Sequence, residues 1–146
     1  MNITGNKHAE NLQQIIQLDQ EFFPEPWTDT QWKTLNWDLS ALFPFKDNNG
    51  IVLGFALFGV VPGDDTSHLY KILVHPSRQG TQEVQAFWSD ILEQLKGSGI
   101  RHIYLEVNSN NQKAIGFYRK QSFKLVRQNK GHYSNGDDAL IMTLTL

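Results

Sequence analysis

Glu106 closes an alternating run, Ile103-Tyr104-Leu105-Glu106-Val107, and Asn111 and Tyr118 follow five and twelve residues after it. The alternation of Ile103, Leu105 and Val107 with Tyr104 and Glu106 predicts a strand with one buried face. The stretch from Asn111 to Gln121 reads as a helix. Asn111, Ile115 and Tyr118 fall at i, i+4 and i+7 and so share one side of it. A carboxylate near the end of a strand and a phenol on the next helix can face one cleft, where the first takes a proton and the second gives one. The same spacing equally describes a solvated strand-edge carboxylate and a half-buried packing tyrosine.

The rest of the chain has to position that pair. At 146 residues it is sized for one domain, 1–146, with a real core. A composition 40% hydrophobic and 19% charged is that of a globular protein, and a net charge of −2 gives no reason to expect nucleic acid or a membrane surface as partner. The absence of cysteine excludes disulfides, thiolate metal sites and a cysteine nucleophile. The N-terminus has no basic segment leading into an apolar run, and no stretch approaches transmembrane length, so a cytoplasmic protein is the default expectation.

A first helix is expected from about His8 to Phe23, with Leu12, Ile15 and Ile16 as its apolar stripe. Thr28 and Gln31 have the spacing of a capping box and predict a second helix through Leu39. Ala41 to Lys46 and Ile51 to Val61 read as strands around the Asp47-Asn48-Asn49-Gly50 turn, and Ser67 to Val74 as the next strand. Val84, Phe87, Trp88, Ile91, Leu92 and Leu95 form a helical stripe that ends at Gly97 to Gly99. The strand from Ile100 to Val107 and the Asn111 helix follow, then strands around Phe123 to Asn129 and Asp138 to Leu146. Antiparallel strands first, then strand–helix–strand, predict a mixed α/β domain with helices on both faces of its sheet.

Leu105-Glu106-Val107, the Ser109-Asn110-Asn111 run, Ala114-Ile115, Phe117-Tyr118 and Ser122-Phe123 resemble a pattern shared by many N-acetyltransferases: L-E-V, then S/N-N, A-x-x-x-Y and G-F. The pattern is that of the GNAT superfamily, and the chain is most similar to its RimI type, which acetylates protein N-termini. Phe23-Pro24-Glu25-Pro26-Trp27-Thr28 is similar to that type's F-x-x-P-W-S/T segment. The run from Leu69 to Pro76 is similar to its fourth strand and V-x-P turn. Tyr133 with Asp138-Ala139-Leu140-Ile141-Met142 is similar to its closing hairpin.

The resemblance implies the GNAT fold, a mostly antiparallel mixed sheet flanked by helices, and acetyl-CoA as co-substrate without a metal. It implies Glu106 as general base and Tyr118 as the acid that protonates the departing thiolate. Backbone groups of Ile72, Leu73 and Val74 would hold the pantetheine arm as an added strand. Residues 80–85 (Gly80, Thr81, Gln82, Glu83, Val84 and Gln85) would meet the pyrophosphate, and Asn111 would bond the cofactor. Trp27 and Tyr133 would frame the acceptor.

One segment departs from the pattern. GNAT proteins carry Q/R-x-x-G-x-G/A between the fourth strand and the next helix, where glycines let backbone amides and the helix dipole approach the pyrophosphate. Without a gap, the two glycines fall on Gln82 and Val84, with Glu83 between them. A two-residue shift would put Gly80 first but needs an insertion in the helix, so the ungapped register is preferred. The substitutions are either drift around a working site or a loop with weakened cofactor binding.

His8, His68, His75, His102 and His132 show no metal-ligand spacing. His102, on the Glu106 face of its strand, is expected to face solvent. Trp32, Trp37 and Trp88 are expected to pack between elements, and Lys113, Arg119 and Lys120 to form a solvated helix face. The function expected is acetyl-CoA-dependent acetylation of a protein or peptide α-amine. Acetylation of a small amine and a non-catalytic GNAT-fold binding module are the alternatives.

Overall fold

The computed structural model describes residues 2–146. A turn of 3-10 helix, Ala9–Asn11, leads into helix α1, Leu12–Phe22, which buries Ile15 fully. The capping box at Thr28 forms: its side chain accepts from Gln31 N–H, and the Gln31 side chain accepts from Thr28 N–H. Helix α2, Asp29–Lys33, is nevertheless much shorter than the expected run to Leu39. Asn36 caps a separate 3-10 turn, Trp37–Leu39, by accepting from Asp38 N–H, and this local bond competes with helix continuation.

Strands β1 (Ser40–Lys46), β2 (Val52–Val60) and β3 (Thr66–Val74) are antiparallel neighbours. Helix α3, Gln82–Gly97, crosses to strand β4, His102–Asn108. Helix α4, Gln112–Lys120, and strands β5 (Lys124–Asn129) and β6 (Ala139–Thr145) complete the chain. The sheet order is β1-β2-β3-β4-β6-β5, and only the β3–β4 pair is parallel. The expected mixed, mostly antiparallel sheet is the one observed.

Helices cover both faces. Trp88, Ile91 and Leu95 of α3 and Ile115 of α4 pack on one face with Ile103, Leu105 and Met142. Ile15 and Trp32 pack on the other with Leu42, Phe55, Leu57 and Leu73. Each such fully buried side chain contributes about 1.5–3 kcal/mol, which is what holds six strands between the helix layers. Trp32 and Trp88 are core residues, as expected.

Two local features shape the centre of the sheet. The β2–β3 register shifts so that Leu57 faces Lys71 and Phe58 faces Leu69, leaving Tyr70 as an extra residue. Such a bulge re-aims side chains. Here it turns Leu69 and Ile72 toward the α3 face and Lys71 and Leu73 toward the α1 face. Gly59 lies beside it and leaves room for the Tyr70 ring, which a side chain there would displace. The second feature is at the end of α4, where Ser122 has φ 73° and Phe123 N–H donates to Tyr118 O. A left-handed residue after a helix favours glycine, which accounts for the glycine of the G-F pattern that Ser122 replaces.

Candidate active site

The parallel β3–β4 ladder runs only through Thr66/His102, Ser67/Ile103 and His68/Tyr104. Beyond it the strands part, and a cleft of about 1000 Å³ opens between them. Ile72, Leu73 and Val74 stay paired to β2 on one edge and line the cleft on the other. A strand edge facing a cleft can hydrogen-bond an extended ligand. Val74 O is already engaged, accepting from Gln79 Nε2 at 3.0 Å.

Glu106 and Tyr118 both line this cleft. Glu106 is two residues past the last β4 position paired to β3, on the strand face opposite Leu105 and Val107, and its side chain is 37% exposed. His132 Nε2 lies 3.0 Å from Glu106 Oε2. The 130–138 loop that carries His132 is tied down by its two aspartates. Asp137 Oδ2 accepts from Asn108 Nδ2 at the end of β4, and Asp138 accepts from Gly131 N–H and Gln128 Nε2. These bonds hold both carboxyls below their usual range.

Tyr118 is partly buried on α4 between Phe117 and Phe123, at ring distances of 5.7 and 5.6 Å. Burial pushes its phenol far above the usual value of about 10. The phenol is therefore protonated near neutral pH, the state a proton donor requires. Asn111, also in the cleft wall, is the N-cap of α4, its Oδ1 accepting from Ala114 N–H at 3.2 Å.

The β3–α3 loop runs directly into the helix. Gly80 is left-handed, Thr81 is the N-cap, and α3 begins at Gln82. Gly80 and Val84 line the cleft, Val84 being 5% exposed on the packed side of α3. Gln82 and Glu83 are exposed. Glu83 pairs across the loop with Arg78 at 3.3 Å, and Gln85 exchanges two side-chain hydrogen bonds with Gln121 at the end of α4.

Residues 12–123 match the Acetyltransferase (GNAT) family. The chain belongs to that family. Acetyl transfer from acetyl-CoA is the chemistry of GNAT enzymes. The ribosomal protein bS18-alanine N-acetyltransferase of Haemophilus influenzae is 27% identical over 150 residues, covering 100% of both chains. That of Escherichia coli K12 is 25% identical over 149 residues, covering 100% of this chain and 99% of the relative. The crystal structure of the Escherichia coli ribosomal-protein-S18-alanine N-acetyltransferase superposes with a TM-score of 0.81 at 24% identity, covering 99% of this chain and 92% of that one.

For a GNAT protein, the cleft suits acetyl-CoA along its apolar length. Ile72, Val84, Ala114 and Phe117 line it, beside the strand edge left open by β4. The first turn of α3 carries a carboxylate, Glu83, and the packed Val84.

On the opposite arm Trp27 and Tyr133 line the cleft together with Glu25, His68 and Tyr70. His68 stacks on Tyr104 at 4.4 Å, and burial lowers its pKa. Burial and the carboxylates of Glu25 and Glu106 raise the phenol of Tyr133. His102 faces solvent, near Thr145.

Two features of the site escape a reading of the sequence. His132 carries no spacing signal, because the loop bonds that present it to Glu106 span 29 residues for Asn108–Asp137. Lys71 carries no sequence signal of its partner, because the Tyr70 bulge decides which face of the sheet it meets. Its partner Asp19 lies 52 residues away. The one available signal was Asp19 itself, four residues after Ile15 and so on the buried stripe of α1.

Proposed function

We propose that the protein transfers the acetyl group of acetyl-CoA directly to the α-amine of a protein or peptide N-terminus. The observation that carries the reading is that Glu106 and Tyr118 both line the cleft that opens where β3 and β4 part. The names of the full-length relatives support the acceptor class.

An α-ammonium has a pKa of about 7.7–8.0, against about 10.4 for lysine, so near neutral pH it needs only a modest base. Glu106, directly or through water, takes up the proton of the acceptor amine, with His132 holding one carboxylate oxygen. Backbone groups of Ile72 to Val74 hold the donor's arm against β3 and polarise the thioester carbonyl. Tyr118 gives its proton to the departing sulfur. Acetyl-CoA supplies the activated acetyl group, and no covalent enzyme intermediate is required. Asn111 and residues 80–85 complete the donor side, and Trp27 and Tyr133 frame the acceptor.

The test compares Glu106→Gln with the parent, using acetyl-CoA and a peptide with a free N-terminus. The variant is expected to keep the fold and acetyl-CoA binding while turnover falls by about two to four orders of magnitude, the usual worth of a positioned base. Near-parental turnover would remove Glu106 as the base. A parent enzyme that acetylates spermidine or a free amino acid but no peptide would overturn the acceptor class.

A further inference from the structure

Lys71 and Asp19 form an ion pair, Nζ to Oδ1 at 2.8 Å, with the two side chains only 2% and 0% exposed. Burial lowers the Lys71 pKa, and the bond to Asp19 partly restores it. A buried pair is a poor way to add stability, since desolvation offsets most of the attraction and a packed apolar pair does as well or better. Fastening α1 to β3 therefore does not account for it.

The remaining bonds of the pair do. Asp19 Oδ2 accepts from Trp27 N–H at 2.8 Å. Lys71 Nζ lies 3.4 Å from Glu25 O, 3.9 Å from the Phe23 ring centroid and 5.1 Å from that of Trp27. Bonds and cation–π contacts alike go to the 23–27 segment. That segment leaves α1 and brings Trp27 to the cleft, where its ring stands 6.1 Å from the bulged Tyr70. An apolar pair would hold helix to strand but could not fix the backbone of this segment, because it offers no directional bonds.

We infer that Lys71 and Asp19 are positioning residues for the acceptor. They fix the 23–27 segment, and with it the Trp27 wall of the cleft, so that their loss weakens acceptor recognition and leaves acetyl-CoA binding in place. The inference rests on the acceptor side assigned under the proposed function.

The test uses Lys71→Met and the double variant Asp19→Leu/Lys71→Met in the full chain. Lys71→Met strands a buried carboxylate, and its Tm is expected to fall by about 10 °C or more. The double variant removes both charges and is expected to regain most of that loss. In the double variant the peptide KM should still be raised about tenfold, with kcat and the acetyl-CoA Kd within about twofold of the parent. Amide hydrogen exchange gives a readout independent of activity. The amides of Glu25, Trp27 and Thr28 should exchange at least tenfold faster in the double variant, while those of β2 and β3 keep parental rates. A double variant with parental KM and parental exchange at Glu25, Trp27 and Thr28 would overturn the inference, leaving the pair as a fastener. So would a uniform rise in exchange across the sheet. If the parent acetylates no peptide, the acceptor reading fails, and the exchange pattern still decides whether the pair positions the segment.

Discussion

Tyr118 is held as an acid by its surroundings. Burial favours the neutral phenol, so its folded pKa stands well above the value of about 10 it would have in an unfolded chain. The linkage has a definite sign. Above pH 10 the unfolded chain loses this proton while the folded protein keeps it, so the stabilising contribution is complete below about pH 10 and is lost as pH rises beyond it. Tyr118→Phe should thus show a smaller fall in denaturant midpoint between pH 9 and 11 than the parent. It should also lower kcat by about two orders of magnitude with little change in acetyl-CoA affinity, because only the hydroxyl is removed. Pre-steady-state kinetics with a free-amine peptide would check the second outcome. Parental rates would make Tyr118 a packing residue between Phe117 and Phe123.

At the scale of an element, the proposed function brings the donor's phosphates to the start of α3. Glu83 sits in the first turn, where its carboxylate suits the helix dipole but competes with a phosphate for the same amides. Arg78 lies 3.3 Å away and partly neutralises it, and both side chains are well exposed to water. Removing the carboxylate should therefore have a smaller effect than for an unpaired one: Glu83→Gln is expected to tighten acetyl-CoA binding about two- to fivefold, and Arg78→Gln to loosen it by a similar factor. Both effects should shrink as salt is raised. Restoring the second glycine carries its own cost. Val84 is packed into the α3 face, so Val84→Gly loses apolar burial, about 1.5–3 kcal/mol, in addition to about 1 kcal/mol of helix propensity. Calorimetric titration across the three variants, with a thermal melt of each, separates these terms. Identical affinities would mean that neither charge reaches the phosphates.

At the scale of the whole molecule, the sheet is two antiparallel halves, β1-β2-β3 and β4-β6-β5, joined by a ladder of three register pairs. Much of this was legible in the sequence. The Ile103–Val107 alternation, the Val84–Leu95 stripe and the Thr28 capping box depend on near neighbours, and each element formed. Glu106 and Tyr118 reached one cleft because a strand end and the following helix are adjacent by construction. What was not legible depends on contacts distant in the chain. The point where β3 leaves β4, the bulge that decides which face Lys71 meets and the loop that brings His132 to Glu106 are all set by tertiary pairing. The Asn36 cap that ends the second helical run early is local, but it competes with a helix pattern that favours continuation.

The divergence of the two halves also has a consequence for stability. A ligand that lies along the open edge of β3 and touches α3 and α4 binds only the folded arrangement, so it must stabilise the whole domain by mass action. Acetyl-CoA at one hundred times its Kd would contribute about 2.7 kcal/mol, which for a domain of this size corresponds to a rise in Tm of about 5–12 °C. CoA lacking the acetyl group should give nearly the same rise, because the acetyl is a small part of the contact. Glu83→Gln should give a larger rise than the parent at equal ligand concentration, in proportion to the logarithm of its affinity. Thermal melts with acetyl-CoA, CoA and no ligand test this directly. A parent whose Tm does not move at millimolar acetyl-CoA, and a Glu83→Gln variant whose Tm does, would locate the obstacle to donor binding at the first turn of α3.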